Sequence, residues 1–477
     1  MNNIIEVLFE RNRATPDKVA FEDEHGVITH SELESRARRM ATWLVNYGVK
    51  PGDRVSIALY DRIDTVAAIC ATVLIGGVAC MINPRGRRKN VLYQIEYVDP
   101  KLVIAESILD VAASTTINEI VSASKQFVPW AGSSTTSIDD VAFMLWTSGT
   151  TGHGKAVMQS HRNYIETSQL VGVDTIGVTG HDRIYATAKL FFAIGMYASF
   201  FWPLWAGAEA YLDLGLSIPA RVRKNIETYQ PTIFYSVPII YSQISAQPIK
   251  CTALCLAGGD RLPQSVIDRW LVSSGQKIHN TSGVTEGTCC YSYNRAGTTS
   301  AGTVVSGYAM RIVDEQGTEL PAGKIGCLQI RTQYQALGYY QDPEWSSRVF
   351  GREWMPTGDY AYISDTGELN YMGRINDVIK INGQFINPSE IEDSLQNYPG
   401  VDQAAVVSCI DADELERIEA YIVPAGDAKL DIQDLRTWML DRHERHACPR
   451  IIHTVDTLPR TDTGKVQRYI LKQKETT

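Results

Sequence analysis

The sequence predicts an α/β fold. A large N-terminal domain of parallel-type sheets with helices and a β subdomain is followed by a small α+β C-terminal domain. Three observations carry this. A chain of 477 residues exceeds what one hydrophobic core holds, so it divides into domains. From residue 32 onward, helix-period and strand-type apolar runs alternate, as parallel strands joined by helices do. After Gly373 and Arg374, a unit of about a hundred residues, enough for a small domain, mixes helical and strand patterns without that alternation.

Thr29 and Glu32 form a capping-box pattern ahead of a helix over 32–47. Leu33, Ala37, Met40, Ala41, Leu44 and Val45 share its apolar face, and Gly48 ends it. Pro51, Gly52 and Asp53 then turn into a strand over 54–60. Two stretches, 65–84 and 190–208, carry no charge and are long enough to span a bilayer. Gly76, Gly77 and Pro84 interrupt the first, and Gly195, Ser199 and Pro203 the second, so a helix followed by a buried strand accounts for each. The Ser-, Thr- and Ala-rich 114–137 stretch reads as a surface connection, and 256–331 as strands between glycine-rich turns. The domains divide into 1–375 and 376–477. The second holds helical patterns over 388–395 and 430–443 and strands over 404–410 and 418–423.

A net charge of −9 excludes a general nucleic-acid binder, which needs a basic excess. None of the nine cysteines has zinc-site spacing, and the first sixteen residues lack an apolar leader core. The expectation is a cytoplasmic protein with reduced thiols and no membrane partner, a monomer or homodimer.

The densest chemistry lies in Trp146-Thr147-Ser148-Gly149-Thr150-Thr151-Gly152-His153-Gly154-Lys155, after the apolar 141–145 strand pattern. Glycines let backbone N–H groups turn toward an anion, hydroxyls add donors, and Lys155 adds a charge; together they suit a polyphosphate. Gly149 to Lys155 also fits the spacing of a nucleotide-binding P-loop. That loop needs Ser or Thr after its lysine to hold Mg²⁺, and Ala156 stands there.

With four later segments, this loop resembles the acyl-adenylate-forming superfamily of acyl- and aryl-CoA ligases, peptide-synthetase adenylation domains and luciferases. The resemblance spans nearly the whole chain. The family's loop, TSGTTGxPKG, is matched except at Gly154 and Ala156. Asn280-Thr281-Ser282-Gly283-Val284-Thr285-Glu286 resembles N-x-Y-G-x-T-E. There the resemblance implies Glu286 for Mg²⁺, Thr285 for the α-phosphate and Asn280 for the adenine edge, with Thr281 beside them and Ser282 replacing the usual aromatic. Ala257-Gly258-Gly259-Asp260-Arg261-Leu262-Pro263 is similar to SGGExLP and would wall the adenine and acyl pockets. Asp359, in Thr357-Gly358-Asp359, and Arg374 would face the ribose. Lys465, in a C-terminal P-x-x-x-x-G-K, would bridge carboxylate and phosphate. Asn376 aligns with the hinge about which the family's mobile C-terminal domain rotates.

The activity implied is ATP-dependent activation of a small carboxylic acid as acyl-AMP, with Mg²⁺, then transfer to coenzyme A or to the phosphopantetheine of an acyl carrier protein. A non-catalytic adenylate sensor on the same fold is the other class, and retention of Lys155, Glu286, Asp359, Arg374 and Lys465 speaks against it. The 188–196 segment resembles the acyl pocket of benzoate- and anthranilate-CoA ligases, with Phe192 as gate beside Ala193, Ile194 and Gly195. Gly258, Gly283 and Cys289 complete that pocket by resemblance. No acidic residue lies between Lys189 and Glu209 to pair with an α-ammonium, which disfavours a free amino acid. Ile194 stands where Tyr is usual and Cys289 where His is usual, which predicts an acid larger or less polar than benzoate.

Overall fold

In the computed structural model, residues 2–111, 113–147, 154–375, 377–381, 384–410, 416–426, 428–445, 447–460 and 466–473 are described. Two large sheets build the N-terminal domain. Six strands of the nine-stranded sheet run parallel: Ile278–Gly283, Leu254–Ala257, Ile233–Ser236, Arg183–Ala186, Glu209–Tyr211 and Val19–Asp23, in that spatial order. The seven-stranded sheet has a parallel body running from Val141–Trp146 through Val78–Met81, Arg54–Ala58 and Leu102–Ala105 to Ser114–Thr116. Ala156–Ser160 and Gly338–Tyr339 add antiparallel strands at its other edge. A four-stranded antiparallel sheet, Tyr308–Val313 to Leu369–Arg374, is the β subdomain.

Both uncharged stretches resolve into buried elements. Helix Ile63–Leu74 buries every residue except Asp64, because it is enclosed on all sides, and strand Val78–Met81 follows, fully buried. The second stretch forms helix Ala193–Met196, a π-helical Tyr197–Phe201 and helix Trp202–Ala206. Among the described residues, no helix is long and apolar enough to cross a membrane.

The first predicted helix is His30–Tyr47, with both halves of the Thr29/Glu32 capping box formed and Gly48 as a left-handed cap. Two expectations are corrected. The 256–331 stretch is not strands and turns alone, since it contains helix Gln264–Ser274. The 114–137 stretch is not only a surface connection, since it contains strand Ser114–Thr116 and helix Ile117–Ser124. A second capping box, Thr116 with Glu119, starts that helix, and Ile117 and Ile120 bury its inner face. All nine cysteines are free thiols.

The C-terminal domain packs helices Pro388–Gln396 and Ile432–Leu440 on a sheet of Val401–Ile410, Glu416–Pro424 and Ile451–Thr454. Inside it, Glu392 is buried, and burial pushes its carboxyl up. Arg468 Nη2 holds both its oxygens, at 2.7 and 2.9 Å, and Val406 N donates to it at 2.7 Å. Glu392→Ala leaves a part-buried guanidinium without its main partner and a buried amide unpaired, so a loss of about 2–3 kcal/mol is expected. Urea unfolding followed by Trp438 fluorescence checks it.

Candidate active site

The phosphate-type loop joins two antiparallel strands, with Trp146 paired to Ala156. Its neck is closed by Thr147 N donating to Lys155 O at 3.0 Å. A Cβ on Gly154 would lie 2.3 Å from Thr147 O, so the neck requires glycine there. Ser148, Gly149, Thr150 and Thr151 lie outside the described residues.

Beyond the neck, Lys155 Nζ sits 3.4 Å from the Trp345 ring centroid and 4.8 Å from that of Tyr339. Burial lowers its pKa, while Asp342 and Glu286 act against that. Tyr339 Oη donates to Glu286 Oε1 at 2.8 Å. The loop lysine and the predicted metal carboxylate, 131 positions apart in sequence order, therefore meet through one tyrosine.

Gln159 fixes the spacing between these parts. It is fully buried. Its Nε2 donates to Thr285 O at 2.6 Å, and its Oε1 accepts from Thr288 Oγ1 at 2.8 Å and Asn163 Nδ2 at 3.0 Å. The strand leaving the loop is thus tied to the turn carrying Thr285 and Glu286. Glu286 is a single carboxylate, which matches what a nucleotide-bound Mg²⁺ takes from protein. Among the described residues, no three His, Cys, Asp or Glu side chains gather as a ready-made metal cage.

Asp359 and Arg374 are cross-strand partners and pair at 3.2 Å. Arg374 Nη1 also donates to Thr357 O at 2.9 Å, and the Asp359 carboxylate raises the Arg374 pKa. Alternation along Ile278–Gly283 separates its residues by face. Asn280 is buried on one side, where its Nδ2 donates to Ser300 O at 3.2 Å and its Oδ1 lacks a partner among the described residues. Thr281, expected with the nucleotide residues, points to the other side, donating to Ala257 O at 2.9 Å beneath Gly258. Its Oγ1 lies close to Gly258, a position that resemblance places in the acyl pocket. Ser282 and Thr285 are part-buried, while Gly259, Asp260 and Gly283 are exposed.

In the acyl segment, Phe192, Ala193 and Ile194 are part-buried and Gly195 is buried. Ile194 Cδ1 lies 3.3 Å from where a Cβ on Gly259 would stand, so the segments packed by resemblance also pack in space. Cys289 is buried, which pushes its thiol well up. A polar network that the motifs did not announce anchors this segment. Asp61 is buried and accepts from Leu190 N at 3.1 Å, while Lys189 Nζ donates to Asp213 O at 2.6 Å. Lys189 directly precedes the second uncharged stretch, whereas Asp61 is separated from the first by Arg62 and Asp64 and carried no signal. Gln159, Tyr339 and Trp345 carried no motif signal.

Asn376 and Lys465 lie outside the described residues. Among the described residues nearby, Arg460 and Val466 form an antiparallel bridge, and Gln467 N donates to Pro459 O at 2.8 Å. Arg261 joins the 257–263 segment to the C-terminal domain, pairing with Asp393 at 2.6 Å and donating to Ser389 O at 3.2 Å.

A family described as "AMP-binding enzyme" matches residues 8–340, and the "AMP-binding enzyme C-terminal domain" matches 390–465. A benzoate–CoA ligase of Thauera aromatica is 32% identical, over 95% of this chain and 92% of its own. A 3-hydroxybenzoate–CoA ligase of Aromatoleum sp. is 31% identical, over 94% and 91%. The solved benzoate CoA ligase of Burkholderia xenovorans LB400 superposes with a TM-score of 0.91 at 28% identity, covering 99% of this chain and 100% of that one.

Burial pushes the Asp61 carboxyl up to about 6, against the pull of Lys189. Its unfolded value is about 3.9. The folded state therefore holds this proton more tightly, and the associated stability is present below about pH 4 and lost as pH rises through about 6. The stability advantage of the wild type over Asp61→Asn is expected to grow as pH falls from about 6 to about 4. Urea melts across that range test it.

Proposed function

We propose, on the premise that this chain belongs to the AMP-binding enzyme family, that it activates an aryl carboxylic acid as acyl-AMP and passes the acyl group to the thiol of coenzyme A. Membership makes it an enzyme of the AMP-forming acid–CoA ligase type. The observation that carries the proposal is the convergence of Lys155, Tyr339 and Glu286 at the mouth of the loop. A lysine so placed can hold a triphosphate directly, and a carboxylate beside it can do so through a divalent cation.

In the first step, a carboxylate oxygen of the acid attacks the α-phosphorus of ATP, and the bond to pyrophosphate breaks. Lys155 and the loop donors bind the phosphates, and Thr285 the α-phosphate. Mg²⁺ held by Glu286 would supply charge neutralisation on the phosphate oxygens. Lys465 bridges the two anions, and Asp359 with Arg374 positions the ribose. Asn280 offers its unpartnered Oδ1 to the adenine edge. In the second step, the thiol sulfur attacks the acyl carbon, AMP leaves with the electron pair, and the thiol proton passes to solvent. The C-terminal domain, from residue 376 on, rotates about Asn376 between the two steps.

An aryl acid is favoured by the 188–196 segment and by relatives whose names specify benzoate, hydroxybenzoates and anthranilate. A second acceptor is supported by one relative, a p-hydroxybenzoic acid–AMP ligase of Mycobacterium tuberculosis, 27% identical over 94% of this chain. With that acceptor, the acyl group goes to a carrier-protein phosphopantetheine.

Pyrophosphate exchange with a panel of acids tests the activation step. Exchange stimulated by aryl acids is expected, and none with any acid would sink the proposal. Product mass with CoA against a carrier protein decides the thiol. Lys465→Ala is expected to lower exchange by about 10²-fold or more while sparing thioester formation from supplied acyl-AMP. Equal loss of both steps would exclude the two-conformation scheme.

A further inference from the structure

Three hydroxyls form a buried chain behind the acyl-pocket positions. Thr281 Oγ1 donates to Ala257 O at 2.9 Å, Tyr235 Oη lies 2.5 Å from Thr281 Oγ1, and Tyr197 Oη lies 3.5 Å from Tyr235 Oη. All three side chains are buried. Pocket positions border the chain on several sides. A Cβ on Gly258 would stand 2.6 Å from Thr281 Oγ1 and 2.7 Å from Tyr235 Oη. Tyr197 follows Ile194 by three residues, one helical turn, and so shares its face. Cys289 and Cys290 belong to the same buried cluster as both tyrosines.

Counting protons gives the chain a direction. The Ala257 carbonyl only accepts, so the single Thr281 proton goes to it. Tyr235 must then donate to Thr281, and Tyr197 to Tyr235. Every proton points toward Ala257, and the terminal Tyr197 oxygen is left as an acceptor. Among the described residues, no hydroxyl or N–H donor reaches it apart from Tyr235. The Cys289 thiol of that cluster is a weak donor. The Tyr197 oxygen, already donating to Tyr235, thus keeps an acceptor lone pair that a ligand donor can meet.

We infer that Tyr197 is a specificity-determining residue, and that the acid this enzyme activates carries a hydroxyl substituent that donates to Tyr197 Oη. The inference rests on the acid-activation reading above and narrows its substrate class. It also revises the expectation of a less polar pocket. Polarity absent at Ile194 and Cys289 is supplied by Tyr197, Tyr235 and Thr281.

The test compares kcat/KM for pyrophosphate exchange with benzoate, the three monohydroxybenzoates and their methyl ethers, in wild type and Tyr197→Phe. A methyl ether keeps the substituent oxygen but has no proton to give. In the wild type, one hydroxybenzoate is expected to exceed both benzoate and its own ether by about 10-fold or more. In Tyr197→Phe, the ratio of that hydroxybenzoate to its ether is expected to fall about 10-fold or more. A merely structural role would lower both substrates together and leave the ratio unmoved, which would overturn the inference. If the variant does not fold, the wild-type ratio decides alone: equal use of hydroxybenzoate and ether overturns it. Exchange with benzoate but with no hydroxybenzoate overturns the inference and leaves acid activation standing. No exchange with any acid overturns both.

Discussion

Gln159 is the joint on which the site depends. Two sheets formed from distant stretches of chain must hold their edges at a fixed separation, or the loop and the Glu286 turn cannot act on one ligand. One buried carboxamide spans that gap, donating to Thr285 O and accepting from Thr288 and Asn163. Its hydrogen-bonding capacity is well used, and burial makes each bond geometrically demanding. Backbone contacts reinforce it: Ala336 N donates to Glu286 O, and Leu337 N donates to Met158 O, both at 2.8 Å. The 334–340 segment is thereby laced to both sheets and delivers Tyr339 between Lys155 and Glu286.

Around this joint, groups suited to a nucleotide satisfy one another. Lys155 rests on aromatic faces, Glu286 accepts from Tyr339, and Asp359 pairs with Arg374. None of these charges is stranded in a low-dielectric site. A ligand would exchange partners rather than meet bare ions, so desolvation is largely met during folding. Asp359 is buried and held by Arg374 on the neighbouring strand, which gives it a fixed direction.

Features written in contiguous residues were legible in the sequence. The Thr29/Glu32 box, the strand entering the loop and the helices and strands of the small domain each depend on local pattern. The helix at Ile117–Ser124 was obscured because its Ser, Thr and Ala content resembles a loop, although Thr116 and Glu119 carried the same capping signal as Thr29 and Glu32. Gln159, Tyr339 and Tyr235 could not be found this way. Each is an unremarkable residue in an apolar run, and its importance comes from partners 126, 53 and 46 positions away. Which face Thr281 takes is hidden in the motif for a related reason. A motif lists residues in order, but a strand sends successive side chains to opposite faces.

The same logic bears on how the two domains meet. Arg261 follows directly on the Gly258-Gly259-Asp260 segment and pairs with Asp393 on helix Pro388–Gln396. Burial pushes the Asp393 carboxyl up, against the pull of Arg261. This is a partly buried pair and not part of a hydrophobic seam; the small domain's apolar core is its own. Such a contact orients one body against another at modest net free energy, because desolvation offsets much of the attraction. Breaking it exposes two charges to water, where both are readily solvated. A domain held by contacts of this kind can leave and return without unfolding anything. The proposed two-step reaction, in which one lysine serves acid activation and then gives way to a thiol, calls for that property at this boundary.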